Sequence, residues 1–182
     1  MTLRRQIFFL LLVWAPAAAF AAGLGLYTRA AAAASPQAAV QTLRADRIVI
    51  WKAKRRLELY YKGRMIKRYR IALGFNPKGH KIQEGDGRTP EGIYRIDLRN
   101  PRSRFHLSLR ISYPNARDRK RARSRGVSPG GDIYIHGQPN RLAALKGRLP
   151  GDWTLGCIAL TNREMREVWR AVKTGTPVEI KA

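Results

Sequence analysis

A short segment of the chain, residues 136–160, holds the only cysteine, Cys157, and one of the three histidines, His136. The thiolate is the nucleophilic form of cysteine, and a thiol with an ordinary pKa of about 8.5 is mostly protonated at neutral pH. An imidazole that accepts the thiol proton removes this obstacle, and cysteine and histidine act together in this way in acyl transfer. The two residues therefore predict a nucleophilic site.

The residues just before the cysteine are suited to bind a developing negative charge. Gly156 has no side chain, so the backbone can curl there and aim the N–H groups of Leu155, Gly156 and Cys157 at an oxyanion. Thr154 opens the same turn and is a candidate substrate-binding residue, and a structural role for its hydroxyl is equally open. A lone cysteine is also often a small buried hydrophobe, so these residues alone leave a structural role open.

A wider pattern extends this interpretation. His136-Gly137 followed by Thr154-Leu155-Gly156-Cys157 resembles the signature of the L,D-transpeptidase (YkuD-like) family, a His-Gly pair, a loop and then Ser/Thr-x-Gly-Cys. The resemblance implies Cys157 as the nucleophile, His136 as the proton donor and acceptor, and the backbone carbonyl of Gly137 as the group that orients the imidazole. Residues 79–94 are similar to a segment of one subgroup of the family. The chain departs from the common pattern at Leu155, often a second histidine, and at Ala159, near which many members carry arginine or asparagine.

The resemblance covers about Arg47 to Lys181 and implies a peptidoglycan L,D-transpeptidase. Such enzymes cleave stem peptides after the L-centre of the diamino acid at position three and release the terminal D-alanine. An amine of a second stem then resolves the thioester and forms a cross-link. Neither a metal nor an organic cofactor is implied. Two alternatives stay open: an L,D-carboxypeptidase or endopeptidase that uses water as the acceptor, and a non-catalytic basic wall-binding module.

The composition indicates an attraction to polyanions. The chain has 182 residues, with 36 Lys and Arg against 12 Asp and Glu, a net charge of +24. Anionic cell-wall polymer, membrane surfaces and nucleic acid are the possible partners of such a charge. The most basic run, Arg117–Arg125, is not interleaved with the aromatic residues that stack on bases, which makes nucleic acid the least favoured partner. A single cysteine excludes a disulfide within the chain.

The first residues predict export to the periplasm or cell envelope. Arg4-Arg5, the apolar run Ile7–Val13 and the A-x-A sequence Ala19-Phe20-Ala21 are typical of a signal peptide. A membrane anchor is the alternative, since the apolar stretch is nearly long enough to span a bilayer. We therefore divide the chain into a signal peptide or anchor at residues 1–34, a linker at 35–46 and a catalytic domain at 47–182.

The remaining sequence predicts a mainly β domain, a sandwich or partly closed barrel. Short segments with alternating apolar residues are separated by Gly- and Pro-rich turns. In Asp132–Gly137, two isoleucines point to one face, so His136 is expected on the other face, toward a cleft. Thr161 and Glu164 form a capping box that opens a C-terminal amphipathic helix, Asn162–Val172.

Overall fold

One hydrogen-bonded sheet of eight strands organises the part of the chain that the computed structural model describes, residues 43–142 and 147–182. Across the sheet the strands lie in the order β3-β2-β1-β8-β4-β5-β6-β7. The C-terminal strand β8 is central, parallel to β1 and antiparallel to β4. The strands are β1 (Arg47–Trp51), β2 (Arg56–Tyr61), β3 (Arg64–Arg70), β4 (Gly92–Ser103), β5 (His106–Ile111), β6 (Tyr134–His136), β7 (Ile158–Ala159) and β8 (Pro177–Lys181).

The alternation that predicted the strands is explained by the two faces of this sheet. Ile48 and Ile50 of β1, for example, are fully buried and face Leu59 and Leu57 of β2. Burial of such side chains contributes roughly 1.5–3 kcal/mol each relative to exposure, so the pattern fixes which face turns inward. The predicted mainly β class, with a C-terminal helix, is confirmed.

The sheet curls until its two edges approach each other. Ala72, just after β3, exchanges two backbone hydrogen bonds of 2.9 and 2.8 Å with Ala159 of β7. A second bridge joins Gly74 to Thr154. The architecture is therefore a partly closed barrel, and the closing seam passes beside the residues of the Cys157 turn.

Two α-helices pack on this framework, α1 (Ala116–Arg123) and α2 (Asn162–Ala171), together with a 3-10 turn at Asn140–Leu142. The predicted capping box at Thr161 is present, and α2 ends one residue before the predicted Val172. The apolar stripe of α2 is buried against the sheet, as predicted. Asn115 caps α1, which carries the basic run on its exposed surface.

The predicted N-terminal segment, residues 1–34, and the linker as far as residue 42 lie outside the described residues. Ala45, assigned to the linker, is buried and its N–H donates to the carbonyl of Ala171 at 2.9 Å, so the domain begins slightly earlier than predicted. Within the described residues, no helix combines the length and apolar character needed to cross a bilayer.

Candidate active site

Cys157 is half-buried at the residue that leads into β7, next to the seam of the barrel. Its Sγ accepts a hydrogen bond from the N–H of Tyr134 at 3.4 Å. The thiol in turn donates to the carbonyl of Asp132 at 3.6 Å. The sulfur is thus held against the backbone of Asp132 and Tyr134, where the chain enters the neighbouring strand β6.

The turn before the cysteine is fixed by the Thr154 hydroxyl. This buried hydroxyl donates to the carbonyl of Cys157 at 2.7 Å and accepts from the N–H of Gly156 at 3.2 Å. The hydroxyl of Thr154 is thus engaged within the turn, which agrees with a structural role for this residue and not with substrate binding. The N–H of Gly156, predicted to donate to the oxyanion, is therefore engaged within the turn instead. The N–H groups of Leu155 and Cys157 meet no acceptor in the described part of the chain.

Glycine is required at position 156 for two reasons. Its φ is +128°, a backbone conformation that other L-residues rarely adopt, and an added Cβ would lie 2.6 Å from the carbonyl oxygen of Arg88. Gly74 is equally restricted, since its Cβ would lie 2.0 Å from the oxygen of Gly87. The loop between β3 and β4, residues 71–91, therefore packs directly against the Cys157 turn, and we name it the supporting loop.

A buried lysine, Lys52, holds the supporting loop in place. It is 2% exposed, and its ammonium donates to the carbonyl of Thr89 and to the carboxylate of Glu91, each at 2.8 Å. A third hydrogen bond goes to the carbonyl of Gly79. Burial lowers the pKa of Lys52, and the ion pair with Glu91 opposes that effect. The sequence analysis missed this residue because its partners are distant in the chain.

His136 lies on β6 with its ring oriented by the backbone. Its Nδ1 is 2.6 Å from the carbonyl oxygen of Gly137. A carbonyl can only accept, so Nδ1 carries the hydrogen and Nε2 is left with its basic lone pair. The contact implied by the family resemblance is present.

The imidazole is more enclosed than the sequence analysis predicted. His136 is 4% exposed, covered by the ring of Phe105 at a centroid distance of 4.6 Å and by Trp153 at 5.8 Å. The alternation within β6 does direct the ring away from Ile135 and the core. Two aromatic residues from other segments then cover it, so the predicted cleft position is wrong.

Cys157 and His136 share one face of two parallel neighbouring strands. Ile158 is in register with Ile135, and both are buried in the core. The residues flanking these two isoleucines therefore point to the opposite face, and both the thiol and the imidazole lie there. No hydrogen bond joins Sγ to the imidazole in the described structure, because Sγ is directed to Asp132 instead.

Both members of the pair are neutral in this arrangement. Burial lowers the pKa of His136 to about 4, opposed by its hydrogen bond to Gly137. Burial also raises the pKa of Cys157 to about 11, opposed by the N–H of Tyr134. At neutral pH the site thus holds a thiol and a neutral imidazole rather than an ion pair, and the imidazole is in the form that can accept a proton.

Comparison with known proteins identifies the family of this fold and site. The family described as the L,D-transpeptidase catalytic domain, YkuD, matches residues 45–180. The chain belongs to this family. It is similar to YafK of Escherichia coli (strain K12), which carries the name of an L,D-transpeptidase, with 28% identity over 131 residues. That match covers 69% of this chain and 46% of YafK.

Two solved structures are also similar to this chain. The helical cell shape determining protein Pgp2 of Campylobacter jejuni is 27% identical, with a TM-score of 0.58 over 74% of this chain and 46% of Pgp2. Bd1075 of Bdellovibrio bacteriovorus, at 24% identity and a TM-score of 0.54, shares the fold over 76% of this chain and 48% of its own. The chain thus spans about half the length of these relatives.

The described residues contain no group of three or more His, Cys, Asp or Glu side chains placed to hold a metal ion. His80, in the supporting loop, accepts from the N–H of Glu91 at 3.0 Å through Nδ1 and directs Nε2 to Asp118 at 3.3 Å. These contacts tie the supporting loop to α1.

Proposed function

We propose that the protein is a peptidoglycan L,D-transpeptidase that works by cysteine acyl transfer. The observation that supports this most is the Nδ1–H of His136, held by Gly137 at 2.6 Å, which leaves Nε2 unprotonated on the face that carries Cys157. Membership of the family supports stem peptides with a terminal D-alanine as the substrate class that we propose. The chemistry uses side chains and backbone groups alone.

Acylation begins when the stem peptide enters and the Cys157 thiol turns from Asp132 toward His136. Nε2 accepts the thiol proton while Sγ bonds to the scissile carbonyl carbon, and the carbonyl oxygen becomes an oxyanion. The N–H groups of Leu155 and Cys157 are the donors we assign to that oxygen, and one such donor contributes about 3–4 kcal/mol. The imidazolium then protonates the departing amine of D-alanine, and a thioester remains.

Deacylation reverses the proton path with a new nucleophile. The amine of a second stem attacks the thioester and gives its proton to Nε2 of His136. The C–S bond breaks, and the proton returns to the sulfur of Cys157. The products are the cross-linked peptide and a neutral thiol, so the site returns to its resting state.

The decisive experiment uses purified protein with a disaccharide-tetrapeptide, and products are identified by mass. We expect free D-alanine and a cross-linked dimer from the natural protein, and neither from Cys157→Ala. Formation of the disaccharide-tripeptide without a cross-linked dimer would instead identify the protein as an L,D-carboxypeptidase. Intact substrate after long incubation would instead favour the non-catalytic wall-binding module.

We further propose that the protein acts outside the cytoplasm, in the periplasm or cell envelope, where its substrate lies. The predicted export segment at residues 1–34 and the net charge of +24 support this location and a contact with anionic wall polymer. A role in wall organisation agrees with the description of Pgp2 as a cell shape determining protein.

A further inference from the structure

A second buried lysine, Lys81, lies within the supporting loop. Its side chain is 4% exposed, and its ammonium donates to the carbonyl of Gln83 and to Oδ1 of Asp86, each at 2.9 Å. A lysine is almost never buried to this extent unless its charge is paired. Asp86 is therefore the partner that keeps this positive charge inside the domain.

The carboxylate of Asp86 builds a tight turn around the ammonium. Its Oδ2 accepts from the N–H groups of Ile82 and Gln83, at 2.7 and 3.1 Å. Oδ1, the oxygen that binds the Lys81 ammonium, also accepts from the N–H of Arg88 at 3.0 Å. One carboxylate thus joins the buried ammonium to the backbone at Arg88.

One side of this turn packs against the residue before the nucleophile. The carbonyl oxygen of Arg88 lies so close to Gly156 that a Cβ added to the glycine would be only 2.6 Å from it. The N–H of the same arginine is the group that donates to Asp86. The Lys81 ammonium is thus connected to the Cys157 turn by one carboxylate and one backbone contact.

The other side of the turn packs against the segment that leads into β6. The N–H of Glu84 donates to the carbonyl of Ser128 at 2.9 Å, and a Cβ added to Gly130 would lie 3.2 Å from the Cα of Glu84. Two residues after this glycine, the carbonyl of Asp132 accepts from the thiol of Cys157. The turn therefore supports both backbone segments that hold the sulfur.

The thiol is influenced by charges of opposite sign from the elements packed around it. Burial has the largest effect and raises the pKa of Cys157 to about 11, and the N–H of Tyr134 opposes it. Of the charged side chains, the carboxylate of Asp132 raises this pKa further and the ammonium of Lys81 lowers it. The other titratable groups of β6 carry no charge, because His136 is neutral and the Tyr134 hydroxyl donates to Asp132 at 3.2 Å.

We propose that Lys81 is a positioning residue of the acyl-transfer site, whose buried ammonium stabilises the thiolate of Cys157. This inference rests on the proposed function, in which Cys157 is the nucleophile. When the S–H bond breaks and the proton moves to Nε2 of His136, negative charge develops on the sulfur. A positive charge already fixed in a buried ion pair favours that state without any rearrangement. Lys81 acts through space and gives up no proton in this step.

The test measures the rate at which iodoacetamide alkylates Cys157 from pH 7 to pH 9, which requires no turnover. Only the thiolate reacts, so below the pKa of the thiol the rate is proportional to the thiolate fraction. Lys81→Gln removes the charge but keeps a hydrogen-bond donor. We expect it to slow alkylation about 3- to 10-fold, less than the loss of a cation in direct contact, because Asp86 offsets part of the charge. Lys81→Arg keeps the charge and should recover most of the natural rate.

Two further variants separate the effect of charge from that of loop packing. Asp132→Asn removes the opposing carboxylate of an exposed residue and should speed alkylation about 3-fold. Asparagine tolerates the positive φ of 54° at this position, so the backbone should be retained. Lys52→Gln is the matched control, since Lys52 is the other buried lysine bound to the supporting loop. Its replacement should loosen the loop without slowing alkylation.

Far-UV circular dichroism establishes which variants are folded, and Lys81→Met replaces Lys81→Gln if the latter does not fold. The inference is overturned if the neutral variant at position 81 is alkylated at the natural rate or faster. Equal slowing in Lys52→Gln would also overturn it, as would no recovery in Lys81→Arg or no gain in Asp132→Asn. The proposed function is judged separately, because it fails only if the natural protein releases no D-alanine, which alkylation does not measure.

Discussion

Replacing Lys52 by methionine tests how far the supporting loop depends on one buried charge. The substitution keeps the length of the side chain but removes the ammonium, so the carboxylate of Glu91 loses its ion-pair partner. The carbonyls of Gly79 and Thr89 also lose their donor. We expect the domain to become less stable and the supporting loop to loosen around the Cys157 turn.

The size of the effect follows from burial. Removing one partner of a buried ion pair costs about 3–5 kcal/mol. Glu91 is 27% exposed, so water replaces part of the lost interaction and we expect about 2–3 kcal/mol from Lys52→Met. For a domain of this size, that loss lowers the melting temperature by roughly 5–10 °C.

Urea unfolding followed by far-UV circular dichroism measures this loss. Lys78→Met is the matched control, since Lys78 is exposed in the same loop and its replacement should change the free energy of unfolding little. Lys52→Met combined with Glu91→Gln should recover part of the stability, because no unpaired carboxylate remains. If Lys52→Met and Lys78→Met unfold within about 0.5 kcal/mol of each other, the buried lysine does not hold the loop and the reasoning is wrong.

Three further predictions concern the thiol, a buried carboxylate and the basic helix. Iodoacetamide should label Cys157 slowly at pH 7 and faster as pH rises past 9, because burial raises its pKa to about 11; a plateau near pH 6 would instead indicate an ion pair. Burial acts to raise the pKa of Asp86, but hydrogen bonds from the supporting loop outweigh it and hold the pKa below 3.8. The stability that this carboxylate contributes is thus present above about pH 4 and is lost as pH falls below it. The free energy of unfolding of Asp86→Asn should therefore change less between pH 7 and pH 3 than that of the natural protein. Four exposed cations of α1 should govern retention on isolated cell wall in a salt-dependent way, because exposed charges are screened within about 8 Å at physiological salt. These four cations are Arg117, Lys120, Arg121 and Arg123. Replacing all four by glutamine should weaken retention on isolated cell wall and leave the turnover of a soluble stem peptide nearly unchanged. An equal loss of retention and turnover would contradict the prediction that α1 serves wall attachment and not catalysis.

The parts of the fold that the sequence predicts are those encoded by neighbouring residues. Apolar alternation identifies β1 and β2, and the capping box at Thr161 locates the start of α2. These signals are local, since a strand repeats every two residues and a cap spans four. The catalytic pair, Cys157 and His136, is also predictable from the sequence, because each residue belongs to a short motif of neighbouring residues.

The features that sequence analysis missed depend on contacts between distant segments. Nothing local to Lys52 predicts that Glu91 will meet it, because the barrel must first bring β1 beside the supporting loop. The enclosure of His136 has the same origin, since Phe105 and Trp153 come from either side of it in the chain. The aromatic at position 153, directly before the Thr154 turn, is the one signal that could have suggested a cover.

The pairing of Ala72 with Ala159 has a consequence for the order of folding. These alanines come from opposite ends of the sheet, so their hydrogen bonds form only after the chain between them is arranged. Contacts between residues far apart in sequence form late, because the entropy of closing the intervening loop opposes them. The nucleophile sits beside this last contact. Refolding protein should therefore regain its circular dichroism signal before it regains the ability to form a thioester. A newly synthesised chain would likewise stay inactive until its barrel has closed.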